Sequence, residues 1–183
     1  MAETQTLNAA DIHAAIDRLA GAIALAHRDK TERLLLLGIA NGGIELTRRI
    51  AARLPPATPG LRLVTGTLDI SFHRDDIGRN PIPKEFAPTL IPVDVTGATV
   101  VLVDDVLFTG RTVKAALDEL FDHGRPAKVE LAILIDRGGR LLPFAPDYTG
   151  ATLAAGEDEK VVVRLAPSDP SRDEVQVVRK SKI

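Results

Sequence analysis

The 183-residue chain has no cysteine, which excludes disulfides, thiolate metal sites and a cysteine nucleophile. Aromatic residues make up only 3%, too few for the stacked platforms that grip single-stranded nucleic acid. Net charge is also scarce, at -2. No global field therefore draws in a polyanion, and an RNA-binding role would need a local basic patch. No apolar run reaches the roughly 20 residues of a membrane span. Met1-Ala2-Glu3-Thr4 does not open a secretory signal. No membrane partner is expected, and a cytoplasmic location is. The four histidines, His13, His27, His73 and His123, show no ligand spacing, so no metal held by protein side chains is expected.

What remains is an ordinary globular mixture, 45% apolar and 26% charged, long enough for a single domain over residues 1–183. Asn8 is placed to cap a helix running to about His27, in which Ile12, Ile16, Leu19 and Ile23 form one apolar stripe. Leu34 to Leu37 reads as a buried strand. A turn from Gly38 to Gly43 follows, then a helix from Ile44 to Leu54, stopped by Pro55-Pro56. Leu61 to Ile70 predicts the next strand. Residues 71–92 carry four prolines and no core pattern, as a flexible flap would. Val100 to Val103 predicts a second buried strand, and Thr112 to His123 a helix with Val113, Ala116, Leu117, Leu120 and Phe121 on its apolar face. Val129 to Ile135 and Val161 to Leu165 predict two more strands. Alternating strands and helices imply an α/β fold, a mainly parallel sheet flanked by helices.

The segment richest in chemistry is Val100-Val101-Leu102-Val103-Asp104-Asp105-Val106-Leu107-Phe108-Thr109-Gly110-Arg111-Thr112. A buried strand ends in two acids, and a short loop then opens a helix. Ligands of open α/β sheets bind beyond the carboxyl ends of the strands. Two neighbouring carboxylates suit a vicinal diol. Backbone N–H groups at a helix start, with two hydroxyls, suit a phosphate. A diol and a phosphate close together describe a ribose 5-phosphate. The loop is neither a Walker motif nor a dinucleotide fingerprint. A second loop, Gly38-Ile39-Ala40-Asn41-Gly42-Gly43, also joins a buried strand to a helix, and its glycines let backbone amides approach an anion.

Residues 100–112 resemble the binding motif for 5-phosphoribosyl-1-pyrophosphate (PRPP) in type I phosphoribosyltransferases. More narrowly, the chain resembles the pyr operon regulator / uracil phosphoribosyltransferase family, PyrR. The closer likeness rests on Gly38-Ile39 with Gly43-Ile44, Leu68 through Asp76, the PRPP motif, and Asp136-Arg137-Gly138 with Leu142-Pro143. It covers roughly residues 10–165.

The resemblance implies a type I phosphoribosyltransferase fold. It makes Asp104 and Asp105 the catalytic acids and Ala40, Asn41, Gly42 and Gly43 the pyrophosphate loop. Arg74, Asp75 and Asp76 become flap residues near phosphate, and Asp136 and Arg137 the nucleobase contacts. Many members have Thr-Arg-Gly where this chain has Asn41-Gly42-Gly43, so Gly42→Arg is expected to tighten pyrophosphate binding. The resemblance also implies Mg²⁺ bound mainly through PRPP, PRPP and uracil or UMP as ligands, and a homodimer. Two roles follow: synthesis of UMP from uracil and PRPP, or RNA-binding attenuation at an mRNA leader with pyrimidine nucleotides as effectors. Members that bind RNA often carry His at the position of Gly139.

Overall fold

The computed structural model describes residues 6–28, 33–54, 62–73 and 87–179. Two apolar strands form its centre. β2 (Arg33–Ile39) and β4 (Thr99–Leu107) lie side by side in parallel, with Leu36 opposite Val101. Leu34 through Leu37 are fully buried, each worth roughly 1.5–3 kcal/mol. Such continuous apolar runs belong to strands covered on both faces.

β3 (Arg62–Leu68) adds to the far side of β2, while β5 (Lys128–Asp136) and β6 (Tyr148–Thr152) add beyond β4. The result is a parallel five-stranded sheet in the order β3-β2-β4-β5-β6. Side chains alternate across it. Leu34, Leu36, Val101 and Val103 cluster with α1 (Ala9–Ala26) and α2 (Gly42–Arg53). Leu35, Leu37, Val100 and Leu102 cluster with α3 (Arg111–Asp122). Helices thus cover both faces, as the sequence predicts.

α1 starts at the predicted cap. The Asn8 side chain accepts from the Asp11 N–H and the Asp11 carboxylate accepts from the Asn8 N–H, both at 3.1 Å. This reciprocal box satisfies two otherwise orphaned donors. The predicted stripe Ile12, Ile16, Leu19 and Ile23 is buried.

A second sheet stands apart from the first. It is antiparallel, in the order β1-β8-β7, from β1 (Thr6–Leu7), β7 (Glu159–Arg164) and β8 (Glu174–Arg179), with a 3₁₀ turn at Pro170–Arg172. The strand predicted at Val161 to Leu165 is present as β7, and it lies in this sheet rather than in the parallel one. A valine run looks the same in either setting. The fifth parallel strand is β6, Tyr-Thr-Gly-Ala-Thr, which has no apolar run.

Other boundaries also shift. α2 begins at Gly42 rather than Ile44. β4 continues to Leu107, so the two acids lie within the strand. Phe121 is 52% exposed rather than on the core face of α3. Of the expected flap, residues 71–73 and 87–92 are described. Arg74, Asp75 and Asp76 lie outside the described residues. Among the described residues, no helix is long and apolar enough to cross a membrane.

Candidate active site

The strand order reverses between β2 and β4. The chain leaves β2 for β3 on one side and leaves β4 for β5 and β6 on the other. A reversal of this kind opens a crevice at the carboxyl ends of the two strands. The two sequence-predicted loops, 40–43 and 108–110, both lie at that end.

From β2 the chain turns through a cis peptide bond at Ala40–Asn41 into α2, and the Ala40 N–H donates to the Leu68 carbonyl at 3.0 Å. Two glycines let this turn press against β4. A Cβ on Gly43 would lie 2.0 Å from the Val103 carbonyl oxygen, and one on Gly42 would lie 2.4–2.6 Å from the Asp105 carboxylate. The start of α2 therefore sits beside Asp105, and a helix start is a place that suits an anion. The same packing bears on the expectation for Gly42→Arg. Any side chain at position 42 must shift the short, half-buried Asp105 side chain.

Asp104 is 6% exposed, and one of its oxygens accepts from the Asp105 N–H at 3.0 Å. Burial pushes the Asp104 carboxyl well above the usual range, and the charge of Asp105 raises it further. Burial also raises Asp105. Among the described residues, no cationic side chain pairs with either acid. Val100 through Val103 are buried in the two cores and reach no crevice; they hold the acids in place.

After Val106 and Leu107 the chain leaves β4 through Phe108 and Thr109 into α3. Gly110 caps α3 with φ +92°, and a Cβ there would strike Phe144 at 2.9 Å. Only glycine meets both demands. The Thr109 hydroxyl accepts from the Arg111 N–H at 3.3 Å, and the Thr109 carbonyl accepts from Leu141 and Leu142 at 3.0 and 2.9 Å. Arg111 and Thr112 form the exposed first turn of α3.

At the end of β5, Asp136 is opposite Leu107. Its carboxylate is engaged on both oxygens, by Arg140 at 2.6 Å and by the Gly138 N–H at 2.9 Å. Arg137 is 7% exposed and lies over the Phe108 ring, 3.7 Å from its centroid. Its terminal nitrogen donates to the Ala155 and Gly156 carbonyls, both at 3.0 Å, while its Nε is buried without a partner. Arg140 donates to the Leu107, Phe108 and Phe144 carbonyls and ties the three segments together.

A cleft of about 620 Å³ runs from Asn41, Gly42, Glu45 and Asp105 to the antiparallel sheet, where Arg164, Arg172 and Glu174 line it. The sequence reading missed this wall. Arg164 pairs with Glu174. Arg172 is exposed, with no ion pair among the described residues. Behind the wall, the buried Arg49 binds Asp173, Glu45 at 2.6 Å and the Ala166 carbonyl at 2.8 Å.

The profile of the family described as "Phosphoribosyl transferase domain" matches residues 5–167. The chain belongs to that family. Among its phosphoribosyltransferase relatives, "Bifunctional protein PyrR" of Roseiflexus sp. is 47% identical over 180 residues, covering 98% of this chain and 97% of the relative. The protein of the same name from Corynebacterium glutamicum is 43% identical over 180 residues, covering 96% and 92%. The phosphoribosyltransferase fold is also that of a hypoxanthine-guanine phosphoribosyltransferase from Bacillus anthracis. That structure has a TM-score of 0.68 at 18% identity, with 96% of this chain and 99% of the other covered.

Proposed function

We propose that this chain is a uracil phosphoribosyltransferase, joining uracil to the 5-phosphoribosyl group of PRPP to give UMP and pyrophosphate, within one domain spanning residues 1–183. The observation that carries this reading is the pair Asp104 and Asp105. Asp104 is buried and Asp105 half-buried, both without a cation among the described residues, at the sheet reversal, flanked by one helix start at Gly42 and another at Gly110.

The bond from C1 of the ribose to the pyrophosphate oxygen breaks, and its electron pair leaves with pyrophosphate. The N1 lone pair of uracil forms the new bond to C1, and the N1 proton passes to solvent or phosphate. Positive character grows on the ring, as in glycoside cleavage. Asp104 and Asp105 accept hydrogen bonds from the ribose hydroxyls and set negative potential beside that charge. The amides of residues 109–112, with the Thr109 and Thr112 hydroxyls, hold the 5-phosphate. Residues 40–43 hold pyrophosphate, with Arg172 of the facing wall supplying the cation that the loop lacks. Phe108 and the unpartnered Nε–H of Arg137 receive the base, since uracil offers carbonyl acceptors. Asp136 orients that loop through Arg140. No covalent nucleophile is involved; the rate comes from positioning and electrostatics.

The donor set fits Mg²⁺. Two carboxylates without a cation are hard oxygen ligands, and the pair has unbalanced negative charge. Mg²⁺, held mainly through PRPP, supplies charge neutralisation of the leaving pyrophosphate.

A second role belongs to the same reading: binding of an mRNA leader under control of pyrimidine nucleotides, by a cytoplasmic homodimer. It is supported by the close relatives that carry the name "Bifunctional protein PyrR".

The test is UMP formation from uracil, PRPP and Mg²⁺, with hypoxanthine as the competing base. Saturable UMP formation is expected. Calorimetric PRPP binding without UMP formation would overturn the base assignment, and no PRPP binding would overturn the transferase itself.

A further inference from the structure

Glu119 and Asp122 stand three residues apart on α3 and so share one face of that helix. His73, from the segment that leaves β3, reaches both. Its Nε2 lies 3.1 Å from a Glu119 oxygen and 3.4 Å from an Asp122 oxygen. All three potential ligand atoms fall within 4.8 Å of one another. One imidazole nitrogen carries at most one proton, which points well at only one carboxylate. A cation placed between the three atoms would instead satisfy them all. An ion with tetrahedral bonds of roughly 2.0–2.1 Å holds its ligand atoms about 3.3–3.4 Å apart, so two edges of the triangle already have nearly the required length.

The surroundings hold the ligands still. The other Glu119 oxygen accepts from the Thr89 hydroxyl at 2.6 Å and lies 3.1 Å from His123 Nε2. Thr89 in turn accepts from the Asp69 N–H at 2.9 Å. This leaves the oxygen facing His73 available. Outer partners of this kind orient metal-binding carboxylates. The spacing of the histidines along the chain does not reveal such a site, because its ligands come from two distant segments.

We propose that His73, Glu119 and Asp122 form a binding site for a divalent transition ion of the Zn²⁺ type, separate from the PRPP crevice. An imidazole with two carboxylates suits Zn²⁺, whereas Mg²⁺ favours oxygen ligands and water. The ion fastens the chain leaving β3 to α3, the helix whose first turn carries Thr112. The proposal does not depend on the transferase reading.

The test uses the full chain stripped of metal, titrated calorimetrically with Zn²⁺ and by visible absorption with Co²⁺. One saturating equivalent is expected, with the absorption bands of four-coordinate Co²⁺ and no displacement by a large excess of Mg²⁺. His73→Ala and Asp122→Asn should each weaken Zn²⁺ binding about tenfold or more, and Asp104→Asn should leave it unchanged. The Asp122 side chain is 71% exposed, so its variant keeps the fold and decides the matter if His73→Ala does not. Absence of saturable Zn²⁺ binding, equal affinity in the Asp122 variant, loss of binding in Asp104→Asn, or displacement by Mg²⁺ would each overturn the proposal.

Discussion

Behind one wall of the cleft, Arg49 and Asp173 are buried together, and Glu45, the Ala166 carbonyl and His13 complete their hydrogen bonds. At the other wall, Asp104 is buried and Asp105 half-buried, with no cation among the described residues. Both clusters take charge out of water. In the first, partners from α1, α2 and the antiparallel sheet offset that cost, and the cluster bolts the second sheet to the first. In the second, the cost stands, and only a ligand can offset it. A closed cluster marks architecture, and an open one marks a binding site.

Breaking the closed cluster should have the largest effect. Asp173→Ala leaves Arg49 buried with too few acceptors and is expected to cost about 3–5 kcal/mol, read from urea unfolding. A loss below about 1 kcal/mol, the range of an exposed pair, would show the cluster is not closed. Asp105→Asn should do the opposite. Turnover is expected to fall roughly 10²–10³-fold with no loss of thermal stability, as measured by UMP formation beside a melting curve. Unchanged turnover would remove Asp105 from the chemistry.

Smaller effects sharpen the contrast around the open pair. Thr109→Val and Thr112→Val are each expected to weaken PRPP binding by about 1–3 kcal/mol in calorimetry with Mg²⁺. Wild-type affinity in both would make the loop a plain helix cap. Arg172→Ala should raise the inhibition constant of pyrophosphate about tenfold, the worth of one charge-assisted hydrogen bond. An unchanged constant would leave the pyrophosphate loop without help from the facing wall.

The parallel core was legible because Leu34 to Leu37 and Val100 to Val103 are apolar without interruption, a pattern that sheets covered on both faces impose. The Asp104-Asp105 motif was legible because its acids and its Gly110 turn are contiguous in the chain. β6 was not, since Gly150 is there for close packing: a Cβ would lie 2.7 Å from the Leu134 carbonyl. The second sheet escaped because a strand's own sequence does not name its partner. Arg140 and Arg172 stayed hidden for a related reason. Their roles come from segments folded against them, and in the chain each is only a surface cation. The obstacle that Gly42→Arg would meet was hidden likewise, because Asp105, which fills the space beside Gly42, is 63 residues away in the sequence.

The most direct test compares melting temperatures of wild type and Asp104→Asn across pH, with and without PRPP and Mg²⁺. The carboxyl of Asp104 is raised by burial, so the native state holds its proton at pH values where the unfolded chain has lost it. Stability therefore falls as pH rises from the ordinary carboxylate range through the raised value. Without ligand, Asp104→Asn should melt higher than wild type near neutral pH, by roughly 2–4 °C for each kcal/mol removed. The gap should close toward acid pH. With PRPP and Mg²⁺, wild type should gain stability that the variant gains far less. A variant that melts lower than wild type at neutral pH, or that gains as much from PRPP, would contradict an open, ligand-seeking pair at Asp104 and Asp105.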